Sequence, residues 1–375
     1  MFYPAHINLQ NRKCLVVGGG TVAERKVVAM LISGGEVTVV SPDATELLMF
    51  LAERGTIGWH KRQLKAGDTK GYFLVCAATD FTAINTAVYV EAYKKNKIRL
   101  VNVVDVIPQC TFAAASVVTD GELMISISTS GKSPATSRRI REHFEETLNT
   151  SSLYTLGYEN GKPVPIENQR LPYPVYLLLE DRKCVVLCKQ KTSEIERRVS
   201  LLQQCGATVM YNSTDFDDVF LVISDASIHG ASDAILQESL EKADSGDFFT
   251  PNLVIDGNLI ISISTKNSTD VSKVKQLHKR CTNQFENNSY GAFIDLLGAR
   301  RAEVLNAFPT SKMRADFFEK LIGYVADCTE SQTCCLRLTD AECSAECLFN
   351  WVRQGKIEHA NDFISDLLST QQAGL

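Results

Sequence analysis

Apolar positions in the first 150 residues follow two periods in alternation. Arg12 to Val17 runs apolar into Gly18-Gly19-Gly20, Thr21 to Leu31 carries its apolar residues at helical spacing, and Glu36 to Val40 is a short β-branched strand. This predicts a βαβ unit. A second apolar run, Phe73 to Ala78, ends at Thr79-Asp80; a helical stretch, Thr82 to Lys95, leads to the strand Leu100 to Val104, which ends at Asp105. Strands that alternate with helices predict a parallel sheet and an α/β fold. Next come Ala113 to Val118, a turn at Asp120-Gly121 and Leu123 to Ser128, read as a hairpin, then the Arg- and Glu-rich helix Pro134 to Leu148.

The chain then repeats itself. After a Ser-, Asn-, Gly- and Pro-containing connector, Tyr173-Pro174 through Arg182-Lys183-Cys184-Val185-Val186 echoes Tyr3-Pro4 through Arg12-Lys13-Cys14-Leu15-Val16, 170 residues on. Gly206-Ala207-Thr208-Val209 parallels Gly35-Glu36-Val37-Thr38, and Asp256 to Thr265 repeats Asp120 to Thr129 almost letter for letter. The second copy lacks a counterpart of Thr45 to Lys70, carries Cys188-Lys189-Gln190 in place of the glycine turn, and is expected to lack any counterpart of Asp105. It reads as a degenerate duplicate. Tyr290 to Tyr324 is amphipathic and helical, and the tail from Ala326 is expected to be helical as well.

Composition narrows the class. At 375 residues the chain is longer than one core usually serves, and 45% hydrophobic with 22% charged residues is ordinary for a globular protein. A net charge of -5 and a pI near 5.8 argue against nucleic acid as a partner. With no signal-like leader and no run of 18 apolar residues, no membrane association is expected, and the cytoplasm is the expected compartment. The twelve cysteines form no secreted-type framework and are expected to be reduced. Cys328, Cys334, Cys335, Cys343 and Cys347 crowd into 20 residues without a Cys-x-x-Cys pair, which favours structural thiols over a metal site.

Gly18-x-Gly20-x-x-Ala23, after a strand and before a helix, has the form of a Rossmann dinucleotide fingerprint. The first glycine permits the tight turn, the second lets the backbone approach a diphosphate, and Ala23 lets helix and strand pack closely. Thr21 and Val22 open the helix whose N-terminus faces the phosphates. The alternative is a βα turn that binds nothing. The ribose-binding acid belongs at the end of the next strand, where Ser41-Pro42-Asp43 stands; Asp43 is the candidate, a helix N-cap its other reading. No Arg lies in that turn, which favours NAD over NADP. Ala78, Thr79, Asp80 and Val104 close the neighbouring strands on the same side. Asp105 is placed for proton transfer, or is a plain turn carboxylate. Gly131, Lys132 and Ser133, before a helix with Arg138, Arg139 and Arg141, would suit a polycarboxylate substrate or form a solvated helix face.

Four ordered motifs carry a resemblance: Cys14 to Lys26, Ala77-Ala78-Thr79-Asp80, Val101-Asn102-Val103-Val104-Asp105, and Ser130-Gly131-Lys132-Ser133-Pro134. Across residues 2 to 148 the chain resembles the precorrin-2 dehydrogenase and sirohydrochlorin ferrochelatase family, the N-terminal half of siroheme synthase. The resemblance implies oxidation of precorrin-2 to sirohydrochlorin with NAD; some members also insert ferrous iron to make siroheme. It makes Asp105 the general base, and the group implicated in chelation should Fe(II) be inserted, and puts Ser128 at the substrate pocket. It also implies a dimerisation segment over 113–148.

The expected organisation is a Rossmann domain over 1–112, the dimerisation segment over 113–148, a linker over 149–171, the duplicate of both over 172–288, and a helical domain with a Cys-rich tail over 289–375. Family members dimerise through the segment matching 113–148, and the duplicate retains its strand Leu259 to Thr265. Two assemblies follow: an ordinary homodimer, or an intrachain pseudo-dimer with one cofactor site. The rival function is a non-catalytic scaffold binding NAD or a tetrapyrrole.

Overall fold

The computed structural model describes residues 1–104, 106–148, 157–225, 235–240, 246–265, 271–323 and 346–372. The first copy comprises β1 (Tyr3–Ile7), β2 (Lys13–Val17), α1 (Thr21–Ile32), β3 (Glu36–Ser41), α2 (Glu46–Glu53), β4 (Gly58–Lys61), β5 (Leu74–Ala77), α3 (Thr82–Tyr89), β6 (Leu100–Val103), β7 (Phe112–Ala114), β8 (Ser116–Asp120), β9 (Leu123–Ser128) and α4 (Pro134–Leu148). A hairpin follows, β10 (Tyr158–Glu159) with β11 (Lys162–Pro163). The second copy supplies β12 (Tyr173–Leu177), β13 (Lys183–Leu187), α5 (Ser193–Gln204), β14 (Thr208–Tyr211), β15 (Val219–Ser224), β16 (Leu236–Ser239), β17 (Phe248–Phe249), β18 (Asn252–Asp256), β19 (Leu259–Thr265) and α6 (Val271–Phe285). Helices α7 (Tyr290–Ala299), α8 (Arg301–Ala307), α9 (Ser311–Gly323), α10 (Leu348–Arg353) and α11 (Ile357–Gln372) complete it.

The chain forms two compact units, and each takes segments from both copies: residues 1–115 with 152–251, and residues 116–151 with 252–375. In the first unit the expected parallel sheet is present, in the order β4-β3-β2-β5-β6. Leu15, Val17, Val75, Ala77, Val101 and Val103 fill its core against Val88 and Ala92. The second copy builds the same arrangement without the β4 position, in the order β14-β13-β15-β16. Lys183 pairs with Thr208 as Lys13 pairs with Glu36, so Gly206 corresponds to Gly34, one residue from the alignment read off the sequence. Both glycines follow a helix with φ +82°, the left-handed position that glycine fills without strain.

The four-stranded sheets that join the copies are palindromic. In the first unit the order is β17-β1-β12-β7, with β1 antiparallel to β12 and Ala5 opposite Val175, its repeat partner. Ile7 faces Phe248 of the second copy while Leu177 faces Phe112 of the first, an exchange of equivalent strands. In the second unit the order is β18-β19-β9-β8, with Ser126 opposite Ser262, Ile125 opposite Ile263 and Ile127 opposite Ile261. Ile125, Ile127, Ile261 and Ile263 enter one core with Phe144, Phe285, Phe293 and Trp351 from the helices. Full burial of each such side chain stabilises the fold by about 1.5–3 kcal/mol.

Helix-period reading ran too far in one place. The stretch expected as a helix from Tyr290 to Tyr324 is three helices: α7 and α8 meet at Arg300, φ -86° and ψ -7°, and α8 is parted from α9 because Phe308, extended at φ -120° and ψ 121°, precedes Pro309, and the residue before proline is driven out of the helical region. Of the tail, α10 and α11 are helical and residues 324–345 lie outside the described set, with Cys328, Cys334, Cys335 and Cys343. Cys347 is buried and its sulfur caps α10, accepting from the Asn350 amide. The connector also carries more structure than its composition suggests, the hairpin β10–β11. No helix among the described residues is long and apolar enough to cross a membrane.

Strand β1 carries His6 into the sheet that joins the copies, 1% exposed and edge-on to Phe249 at 5.4 Å. Burial pushes its imidazole from 6.5 down to about 3. A base whose folded pKa is depressed adds full stability above its unfolded pKa and loses it as pH falls towards the folded value. Between pH 6.5 and about 3, His6 alone should cost up to roughly 1.4 kcal/mol per pH unit. Urea denaturation of wild type and His6→Phe across this range should show the variant gaining relative stability as pH falls; a constant difference contradicts the assignment.

Candidate functional site

The carboxyl ends of β2, β3, β5 and β6 gather the cofactor candidates in the first unit. Gly18 has φ +124°, and a Cβ there would collide with the Ala78 carbonyl; a Cβ on Gly19 would collide with the Asp43 carbonyl. Both glycines are therefore required by the fold itself. Gly20 differs: its φ is -80°, and a Cβ would meet nothing within 4 Å. Packing leaves that space open. Gly20 is the N-cap of α1, no side chain caps the helix, and the Gly19 and Gly20 amides have no partner among the described residues. The first amides of a helix carry partial positive charge and need an acceptor, so this bend with Thr21, Val22 and the buried Ala23 is a fit for a dinucleotide diphosphate.

The neighbouring turns are fixed from behind. Ser41 is buried and its hydroxyl accepts from the Trp59 indole at 3.1 Å, whereas Pro42 and Asp43 are exposed. Thr45, not Asp43, caps α2: its hydroxyl accepts from the Leu48 amide and its own amide donates to the Gly19 carbonyl at 2.9 Å. That removes the N-cap reading of Asp43. Ala78 donates to the Val17 carbonyl, and the Thr79 loop is clasped by buried Asn85, which donates to the Thr79 carbonyl at 2.8 Å and accepts from its hydroxyl at 2.7 Å. Asp80 is exposed beside it. The Val104 amide donates to Ala77 at 3.0 Å. Asp105 lies outside the described residues.

Around it, Cys110 braces the strand end. Its sulfur accepts from the Val103 amide at 3.3 Å and its thiol lies 3.1 Å from the Val103 carbonyl and 3.4 Å from that of Val106. Burial pushes this thiol up, which keeps the proton that donates. Asn102, buried in β6, accepts from the Lys26 ammonium at 2.7 Å and donates to the Phe112 carbonyl at 2.9 Å. Asn85, Asn102 and Lys26 were not among the expected site residues. An asparagine inside the apolar run Leu100 to Val104 was the available signal, since a buried amide requires partners.

At the matching place the second copy is closed by its own side chains. The Cys188 amide donates to Asn212 Oδ1 at 2.8 Å and the Lys189 amide to a carboxylate oxygen of Asp225 at 3.0 Å. Thr192 caps α5, its hydroxyl accepting from the Ile195 amide. Where α1 has no side-chain cap, α5 has one. Lys26–Asn102 is replaced by Arg198–Glu238, a buried ion pair at 3.3 Å, with Glu238 also accepting from the amide and hydroxyl of Thr250. Glu238 stands 136 residues after Asn102, so Glu241 holds the chain position of Asp105, a counterpart the sequence comparison missed; it too lies outside the described residues.

The substrate candidates lie together in the second unit. Buried Ser128 accepts from the Ser130 amide, Gly131 sits at φ +75° and accepts from Arg301 at 2.6 Å, and Ser133 caps α4 through the Thr136 amide. Lys132 pairs with Asp295 at 2.7 Å and Arg138 with Glu319 at 3.1 Å, both pairs exposed at the surface.

Comparison with known proteins follows this geometry. Residues 5–116 match the family described as putative NAD(P)-binding, and residues 120–147 match that of the sirohaem biosynthesis protein central region. Siroheme synthase 1 of Serratia proteamaculans is 38% identical over 150 residues, 40% of this chain and 31% of that protein. The siroheme synthase of Photorhabdus laumondii is 36% identical over 170 residues, 45% of this chain and 36% of that protein. A solved structure described as SirC, precorrin-2 dehydrogenase is 28% identical, covering 38% of this chain and 68% of that chain, with a TM-score of 0.34. The chain spans about a third of the length of the curated relatives it matches.

The two kinds of glycine make separable predictions. Gly18→Ala should destabilise the fold by about 1–3 kcal/mol in urea, because it forces a side chain into a strained backbone and a carbonyl. Gly20→Asp should change stability by less than about 0.5 kcal/mol and abolish dinucleotide binding by calorimetry. Retained binding in Gly20→Asp contradicts the diphosphate assignment.

Proposed function

We propose that this chain oxidises precorrin-2 to sirohydrochlorin with NAD, a step towards siroheme. The observation that carries the proposal is the open amide cradle at Gly20, in a segment that matches a putative NAD(P)-binding family over residues 5–116 and is followed by a match to the sirohaem biosynthesis central family over residues 120–147. NAD supplies a hydride acceptor when bound. The Gly18–Gly20 bend and the first amides of α1 would hold its diphosphate, Asp43 its ribose hydroxyls, and the Thr79 loop, held by Asn85, would border the reactive end. Oxidation removes a hydride and a proton from the substrate. Asp105 is assigned to take the proton, as the carboxylate that follows strand β6 in the chain. Cys110 and the Val104 amide brace the backbone on either side of it.

Ser128, Gly131, Lys132, Ser133 and Arg138 are assigned to the substrate's carboxylates. Lys132 and Arg138 now pair with Asp295 and Glu319, but exposed ion pairs are worth only about 0–1 kcal/mol, so exchange for substrate carboxylates costs little. The assembly assigned to the chain is a pseudo-dimer: equivalent strands of the two copies face each other within one chain, at Ala5–Val175 and at Ser126–Ser262, and so cover the edges through which separate chains would pair.

Purified chain given precorrin-2 and NAD under anaerobic conditions should form NADH, and Asp105→Ala should lower kcat about 10²–10⁴-fold without weakening NAD binding. Absence of NADH with intact NAD binding would leave a binding scaffold in its place; full activity of Asp105→Ala would remove the base assignment. Light scattering should give 41.4 kDa, and twice that mass contradicts the pseudo-dimer.

A further inference from the structure

The hairpin between the two copies lies against the cofactor candidates. Tyr158, at its start, donates its phenol to Glu24 Oε2 at 3.1 Å, and the Leu47 amide faces the phenol oxygen. Glu24 belongs to the first turn of α1 and Leu47 to the first turn of α2, the helices that leave the glycine bend and the Ser41–Asp43 turn. Those two turns already touch: the Thr45 amide donates to Gly19, and the Asp43 carbonyl lies where a Gly19 Cβ would stand. Tyr158 therefore ties the two helix starts from outside that contact. The Leu47 amide is one of the first amides of α2, which have no partner within the helix; Thr45 accepts from Leu48, and the Tyr158 phenol lies before Leu47.

The hairpin is held in place by more than Tyr158. Gly157 is buried, and a Cβ there would stand 2.5 Å from Leu47 Cδ2, so a side chain at 157 would have to displace Leu47 or lift the hairpin from α2. The Val164 amide donates to the Gly157 carbonyl at 3.0 Å, and further along the Gln169 amide donates to Ile32 at the end of α1. Glu24 and Glu46 are the charges that face the phenol, and with desolvation they raise its pKa, so it remains a donor at neutral pH.

In a dinucleotide domain the adenosine ribose lies between the glycine bend and the end of the following strand, which here is the gap between Gly19 and Asp43. We propose that the inter-copy hairpin belongs to the dinucleotide site, with Tyr158 as a positioning residue that sets the separation of the α1 and α2 first turns around the adenosine half. The inference rests on the dinucleotide reading of that bend. It makes the segment that joins the copies a working part of the one open site, in addition to a tether.

Tyr158→Phe keeps the ring and removes the hydrogen bond to Glu24. The Kd for NAD and for ADP-ribose should rise roughly five- to tenfold, the KM for NAD should rise in parallel, and kcat should stay at the wild-type value. Gly157→Val, which lifts the hairpin off Leu47 with Tyr158 intact, should weaken ADP-ribose binding in the same way. Wild-type affinity in both variants overturns the inference while the cofactor site stands. A fall in kcat with unchanged KM also overturns it, because the effect would then lie with the chemistry. Failure of the wild-type chain to bind ADP-ribose would instead remove the dinucleotide reading on which the inference depends.

Discussion

A helix cannot satisfy its own first amides, and whether something else in the chain does so separates the two halves of this molecule. At α1 the bend is free of side chains, the helix has no side-chain cap and the space beyond Gly20 is open. At α5 an asparagine oxygen, an aspartate carboxylate and a threonine hydroxyl fill the corresponding positions. An internal carboxylate on the Lys189 amide plays the electrostatic part that an external anion would play at the first bend. A site that has acquired its own acceptors gains stability and gives up ligand.

That loss did not free the second copy from structural duty. Its strands cross into the sheets of the first: β12 lies beside β1, β17 beside β1 and β19 beside β9. At the centre of the β1–β12 and β9–β19 pairings a residue faces its repeat equivalent, Ala5 opposite Val175 and Ser126 opposite Ser262, and on either side the contacts are exchanged, which is the signature of an isologous interface. An interface of that kind needs matching strands, and it needs no second bend, so the glycine turn could decay while Leu259 to Thr265 stayed almost letter for letter. The buried Arg198–Glu238 pair, set where the first copy holds Lys26–Asn102, shows the same drift in the interior. Such a pair gives little net stability, yet loss of one partner would strand the other.

Much of the first copy was legible in the chain. Runs with period near two and near 3.6 marked β2, α1, β3, β5 and β6, and the glycine spacing located the bend, because these features are local. What escaped was set at long range. No local pattern told that β1 would pair with a strand 170 residues away, and the register of Gly206 with Gly34 emerged only from the ladder, where the residue after the helix needs a positive φ. Asn85 and Asn102 serve the site through backbone carbonyls on other segments, contacts that residue identity alone does not announce. The hairpin at Tyr158 hid in a polar stretch because two-residue strands are too short to show a period. Pro309 was visible in the sequence, and an apolar pattern that continued past it drew the helix too long.

The most direct measurement is the stoichiometry of dinucleotide binding, taken by titration calorimetry on the intact chain with NAD. One equivalent per 41.4 kDa chain is the expected result, since side chains of the second copy accept from the Cys188, Lys189 and Ile195 amides, whereas among the described residues no side chain accepts from the Gly19 or Gly20 amide or caps α1. Two equivalents would mean that Asn212 and Asp225 do not close the second copy, and would contradict the asymmetry on which this account rests.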